Sequence, residues 1–368
     1  MEIADIFYRY FDKYLIKYGD KIPKNHLKTA NDIMTCRTWV KGGEAYYCEN
    51  CKSFHYAYHS CKNRHCPKCG SNDSEKWVEK QKEKLLPVNY YMVTFTVREE
   101  LRFLIRSNQK LFYSILFQAA SESLKELLSD SKYAGGKSGF TAILHTWTRK
   151  LIYHPHLHFI VPGGGFDFEK NIWHNIKYET IPVRKLSKTF RRNFKNILKK
   201  KNLEIHNSIS EKLWESGFNA QSESVGNGES TLKYLANYVY KTAISNNRLM
   251  SLENGKVTFN YKESKTGKTK FVTISVFEFM RRFLQHTLPK GFQRIRHYGF
   301  LSAGAKKKFE HMCSYLNFRQ SKKTLIKHKS DNFNPRDKHI CPKCHKKMRF
   351  HHTIEFSKRA PPIWKLRI

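Results

Sequence analysis

Two Cys-x2-Cys pairs stand close together in this chain, Cys48 with Cys51 and Cys66 with Cys69. A knuckle with that spacing aims both sulfurs to one side, and two such knuckles complete the tetrahedral shell of one Zn²⁺. A small zinc module is therefore expected here. The same stretch holds His59, Cys61 and His65, with Cys36 just upstream, and these four donors suffice for a second zinc. A further pair, Cys341 and Cys344, followed by His351 and His352, offers a third zinc site near the C-terminus. Closed thiolate shells leave no open coordination position, so support and nucleic-acid positioning, not chemistry, are expected of them.

Disulfides are the rival use of cysteine. The opening residues, MEIADIFYRYFDKYLIKYGD, lack the apolar stretch of a signal peptide, and no run of about 18 apolar residues occurs. A cytoplasmic protein is expected, in which the nine cysteines stay reduced and available to metal. Charge narrows the partner. Lys and Arg number 68 against 31 Asp and Glu, a formal balance of +37 that seeks a polyanion. The basic residues run the length of the chain among 26 Phe, 20 Tyr and 6 Trp, a mixture that suits phosphates and stacked bases better than an anionic membrane surface. With 368 residues, 40 % of them hydrophobic, the chain can bury the cores of two or three domains.

Apolar spacing predicts two short helices over residues 3–34, broken at Pro23. VNYYMVTFTV, residues 88–97, reads as a strand and Glu99 to Ser129 as one long helix. FTAILHTW and HPHLHFIVPG read as a strand pair, the second strand ended by Gly163, Gly164 and Gly165. Residues 184–215 are basic and helical, TLKYLANYVYK is helical, and VTFNYKESKTGKTKFVTISV is a hairpin turning at Thr266 and Gly267. This mixture is α+β. It divides into a helical and zinc-binding region at 1–75, a region carrying the candidate chemistry at 76–280, and a basic helical region with a knuckle at 281–368.

The stretch YHPHLHFIVPGGG sets His154, His156 and His158 at alternate positions, which share one face of a strand. His156 and His158 together can hold one divalent ion and leave it open positions, as a catalytic metal needs. His145, in the partner strand, is the expected third ligand. The second half of the constellation is KYLANYVYK. On a helix Tyr234 and Tyr238 fall about 40° apart with Lys241 on the same side, while Tyr240 is displaced. A metal beside a phenol suits phosphoryl transfer, with tyrosine attacking phosphorus and joining covalently to DNA. Lys241 and the metal would favour the phenolate against its usual pKa of about 10. No GxxxxGK[ST] loop is present, in keeping with a reaction that needs no ATP.

The order of Cys36, CENC, YHSCKNRHCPKC, LHTW, YHPHLHFIVPGGG, KYLANYVYKTAISNNR and FMRRFLQHTLPKGFQRIRHYG resembles the rolling-circle transposases of the insertion-sequence-ninety-one type. These are two-tyrosine HUH enzymes, named for histidine pairs flanking a hydrophobic residue. The resemblance runs from about residue 5 to about 350. It implies that His156 and His158 bind a catalytic Mg²⁺ or Mn²⁺, that Tyr234 and Tyr238 are the nucleophiles, and that Cys48 to Cys69 is the zinc-binding domain. It further implies an HUH domain with a central antiparallel sheet flanked by helices, and a bacterial, nucleoid-associated protein. Its partners would be single-stranded or hairpin element ends and target DNA, without a membrane; a homodimer is compatible with this. A replication initiator or relaxase shares the chemistry, and a non-catalytic zinc-dependent DNA-binding protein shares the charge and cysteines.

Overall fold

The structure, a computed structural model, describes residues 1–70, 79, 81–82, 84–177, 181–215, 217–227, 232, 242–263, 266–316 and 339–356. In chain order the helices and strands begin with α1 (Ile3–Tyr18), α2 (Lys24–Thr35), β1 (Gly43–Cys48) and β2 (Ser53–Tyr58). There follow β3 (Asn89–Thr96), α3 (Arg102–Ser107), α4 (Gln109–Ser129), β4 (Phe140–Trp147), β5 (Tyr153–Pro162), β6 (Gly164–Asp167) and β7 (Ile172–Asn175). Next are α5 (Val183–Lys201), α6 (Leu203–Ser208), β8 (Asn219–Asn227), β9 (Leu249–Glu253), β10 (Lys256–Lys262), β11 (Thr269–Ser275) and α7 (Val276–Leu284). The last are β12 (Ile295–Tyr298), α8 (Lys306–Tyr315) and β13 (Arg349–Ile354). The α+β expectation holds. Among the described residues no helix is long and apolar enough to cross a membrane.

The chain forms two compact units. One comprises Asp73–Lys241 and Leu288–Ser321 and is organised by an antiparallel sheet of strand order β12-β4-β5-β3-β8. Strand alternation sorts its side chains. Val93 and Phe95 of β3, Ala142 and Leu144 of β4, and Leu157, Phe159 and Val161 of β5 share the main core with α4 and α5. α4 contributes Phe112, Leu116, Ala120, Leu124 and Leu127, and α5 contributes Leu186, Phe190, Phe194 and Leu198, each set at helical three- and four-residue spacing. Phe95 meets Phe159 at 5.3 Å and Phe190 at 4.9 Å between ring centroids. The opposite face of α5 exposes Arg184, Lys188, Arg192 and Lys199 to solvent.

The sheet's other face carries the histidines. The expected long helix at 99–129 is interrupted. Asn108 leaves helical geometry at φ −127°, ψ 46°, so α3 ends there and α4 begins after it. Its side-chain amide instead donates to the Leu104 carbonyl at 3.3 Å, the local competition that makes asparagine a weak helix former. The glycine run does end β5, but Gly164 starts another strand, β6. Gly165 lies so close to Gly136 that a Cβ would stand 2.6 Å from the Gly136 carbonyl oxygen.

The other unit comprises Met1–Asn72, Thr242–Thr287 and Lys322–Ile368. α1 buries Ile3, Phe7, Phe11 and Tyr14 along one stripe, and Pro23 caps α2 where the break is expected. α7 buries Phe279 and Phe283, the latter 5.8 Å from Phe7 in an edge-to-face pair. That packing puts residues 242–287 with the N-terminal helices, whereas the linear division assigns 242–280 to the chemical region. β9, β10 and β11 form an antiparallel meander with Gly267 at φ +67° in the expected hairpin turn. β1 pairs with β2 on one side and with β13 on the other.

Candidate metal centre and cysteine knuckles

Register on the five-stranded sheet assembles the candidate centre. His145 of β4 stands opposite His156 of β5, which stands opposite Thr96 of β3, which stands opposite Asn219 of β8. One row along, Ile143, His158, Thr94 and Gln221 face one another in the same way. The ring nitrogens of His145, His156 and His158 come within 4.8 Å of one another. The expected third ligand is therefore beside the other two. Met92, Thr94, Thr96, Asn219, Gln221 and Glu223 join His154, His156 and His158 around a cleft of about 460 Å³.

Hydrogen bonds orient the rings. His156 Nδ1 lies 2.7 Å from the His154 carbonyl oxygen, which can only accept, so Nδ1 carries the proton and Nε2 presents its lone pair. His158 Nδ1 lies 3.0 Å from the Thr94 hydroxyl. His145 is buried and stacked on Trp147, 5.0 Å between centroids at 19°. Burial also keeps His154, His156 and His158 neutral. It lowers His156 to about 4, with the charges of Arg102 and Arg294 adding to the effect, and lowers His158 to about 3 with help from His156. His154 falls to about 4, again chiefly by burial. Neutral imidazoles are what a metal requires. Three nitrogen donors fit a divalent ion, and Thr94 and the His154 carbonyl supply the outer support such rings need. Arg294 lies over Trp147 at 4.9 Å and donates to the Leu144 carbonyl.

Tyr234, Tyr238 and Lys241 lie outside the described residues. The sequence reading missed β8, which brings Asn219, Gln221 and Glu223 to the cleft. Its signal was present as a polar residue at every second position, but with Val225 as its one β-branched residue.

The cysteines sort differently from the expectation. Cys36, Cys61, Cys66 and Cys69 form one cluster and Cys48, Cys51, Cys341 and Cys344 another. Cys48 and Cys51 therefore do not meet Cys66 and Cys69. The six residues of β2 span roughly 20 Å, which carries the chain from the first knuckle to the far end of the hairpin. Neither His59 nor His65 joins a cluster, thiols having filled those places. His351 and His352 are exposed on β13, also apart from both clusters.

Residues 139–308 match a family described as "Putative transposase", and residues 6–97 match "Transposase zinc-binding domain". The chain is 37 % identical over 320 residues to "Putative transposase y4qJ" of Sinorhizobium fredii, covering 82 % of this chain and 80 % of that protein. It is 28 % identical over 292 residues to the transposase for insertion sequence element IS801 of Pseudomonas savastanoi pv. phaseolicola, covering 75 % of this chain and 70 % of that one. No solved structure matches.

Proposed function

The chain belongs to the transposases of the insertion-sequence-ninety-one type, and from that premise we propose that it cuts and rejoins single-stranded DNA at element ends with a tyrosine nucleophile and a divalent ion held by His145, His156 and His158. The observation that carries this reading is the convergence of three imidazole nitrogens, within 4.8 Å of one another, beside a polar cleft. Mg²⁺ or Mn²⁺ bound there supplies positive charge to the scissile phosphate as negative charge builds on its oxygens.

The chain's own groups do the rest. The phenolic oxygen of Tyr234 or Tyr238 bonds to phosphorus and the 3′-oxygen of the preceding nucleotide leaves. The proton lost from the phenol ends on that 3′-hydroxyl, leaving a 5′-phosphotyrosine. Lys241 favours the phenolate electrostatically. A 3′-hydroxyl from another strand reverses the step and seals the DNA, so the bond energy is conserved and no ATP is consumed. Two tyrosines allow one end to stay attached while the other is exchanged. Thr96, Asn219 and Gln221 at the cleft offer hydrogen bonds to phosphate and base edges.

Incubating the protein with labelled single-stranded element ends and Mn²⁺ tests the proposal. A denaturation-resistant protein–DNA adduct is expected, lost with chelator and lost in the Tyr234→Phe/Tyr238→Phe double variant. An adduct that survives the double change would refute the assignment.

A further inference from the structure

We propose that Cys48, Cys51, Cys341 and Cys344 bind a zinc ion of their own, separate from one held by Cys36, Cys61, Cys66 and Cys69, and that this ion latches the C-terminal segment to the N-terminal zinc module. The site stands on geometry independent of the catalytic reading. Cys48 Sγ lies 3.5 Å from Cys344 Sγ, and Cys341 Sγ lies 3.8 Å from Cys51 Sγ. Zinc–thiolate bonds of about 2.3 Å put the sulfurs of a tetrahedral shell about 3.8 Å apart. A disulfide would need about 2.05 Å. The other quartet has the same dimension, Cys61 Sγ to Cys69 Sγ being 3.6 Å.

The two halves of the latch are built alike. Each Cys-x2-Cys turn is followed by a residue in left-handed geometry, Lys52 at φ +50° and His345 at φ +56°. The backbone N–H of Cys51 donates to Cys48 Sγ at 3.4 Å. The antiparallel register of β1 and β13, Tyr47 opposite Arg349 and Tyr46 opposite Phe350, sets both knuckles at the same end of the sheet. Tyr46, Met348 and Phe350 pack against the four cysteines. Polar contacts tie the knuckles across their rims. Lys346 Nζ donates to Asn50 Oδ1 at 3.0 Å, and Arg349 pairs with Glu49 at 3.6 Å.

Cys341 and Cys344 fall beyond both family matches, which end at residues 97 and 308. Because 290 residues separate Cys51 from Cys341, an ion shared by them closes almost the whole chain into a loop, including the stretch that carries the histidine centre. Clips that close long loops restrict the unfolded chain most. The latch thus makes the N-terminal knuckle depend on the C-terminal one, although their sequences are remote.

Metal counting on the full-length chain tests this. Two zinc ions per chain are expected after chelating-resin treatment, and one after Cys341→Ser/Cys344→Ser. Native alkylation of the unaltered protein, read by mass spectrometry, gives a second measurement that needs no variant. Cys48, Cys51, Cys341 and Cys344 should be protected together and should become reactive in step as chelator is raised. One zinc per chain in the unaltered protein, or Cys341 and Cys344 alkylating while Cys48 and Cys51 stay protected, would overturn the proposal.

Discussion

The proton on His156 Nδ1 is committed to the His154 carbonyl, and His158 shares a hydrogen bond with Thr94, so each ring is held by a group that itself touches no metal. Removing such support weakens metal sites about 10- to 100-fold. Thr94→Val should therefore lower Mn²⁺ affinity by roughly that factor in calorimetric titration with all three histidines intact; unchanged affinity would contradict a supporting role of Thr94 for a metal-bound His158. The same burial predicts a pH dependence. The unfolded chain protonates these histidines near 6.5, whereas the folded metal-free protein does so only near 4 for His154 and His156 and near 3 for His158. Between those values the unfolded state binds more protons, so stability falls as pH drops from about 6.5 to about 4. A ring such as His156 contributes on the order of 3 kcal/mol to that loss, visible as a falling denaturation midpoint in metal-free buffer.

At the scale of elements, β5 makes the site by presenting two faces. His156 and His158 project toward the cleft while Leu157 and Phe159 anchor the strand in the core with α4 and α5. Phe159→Ala should destabilise this unit by about 3–5 kcal/mol, measured by denaturant unfolding, because the ring is fully buried against Phe95 and Phe140. β3, β4 and β5 were legible in the sequence because their alternation is strong and their β-branched and aromatic residues are many. β8 was not, since an edge strand reading NAQSESVGN spends its alternation on polar side chains. The break at Asn108 was also lost, as helical spacing continues on both sides of it. The cysteine knuckles were legible as knuckles but not as partners. Nearness in sequence suggested one pairing, and β1 with β13 brought about another.

For the molecule as a whole, the balance of +37 makes DNA affinity steeply dependent on salt. If six or more phosphates are neutralised, affinity for single-stranded DNA should fall about 300-fold or more between 50 and 200 mM salt, and a shallow slope in fluorescence titration would argue against that footprint. The histidine centre was readable because its ligands sit in one hairpin, whereas the two-unit arrangement was not, since Phe7 and Phe283 meet across nearly the whole sequence. The most direct measurement of the chemistry is mass spectrometry of the nucleotide-bearing peptide, after protease digestion of the protein treated with a single-stranded element end and Mn²⁺. A 5′-phosphate on Tyr234 or Tyr238 is the expected result. Strand cleavage that leaves no nucleotide on the protein, or a link to any other residue, would contradict it.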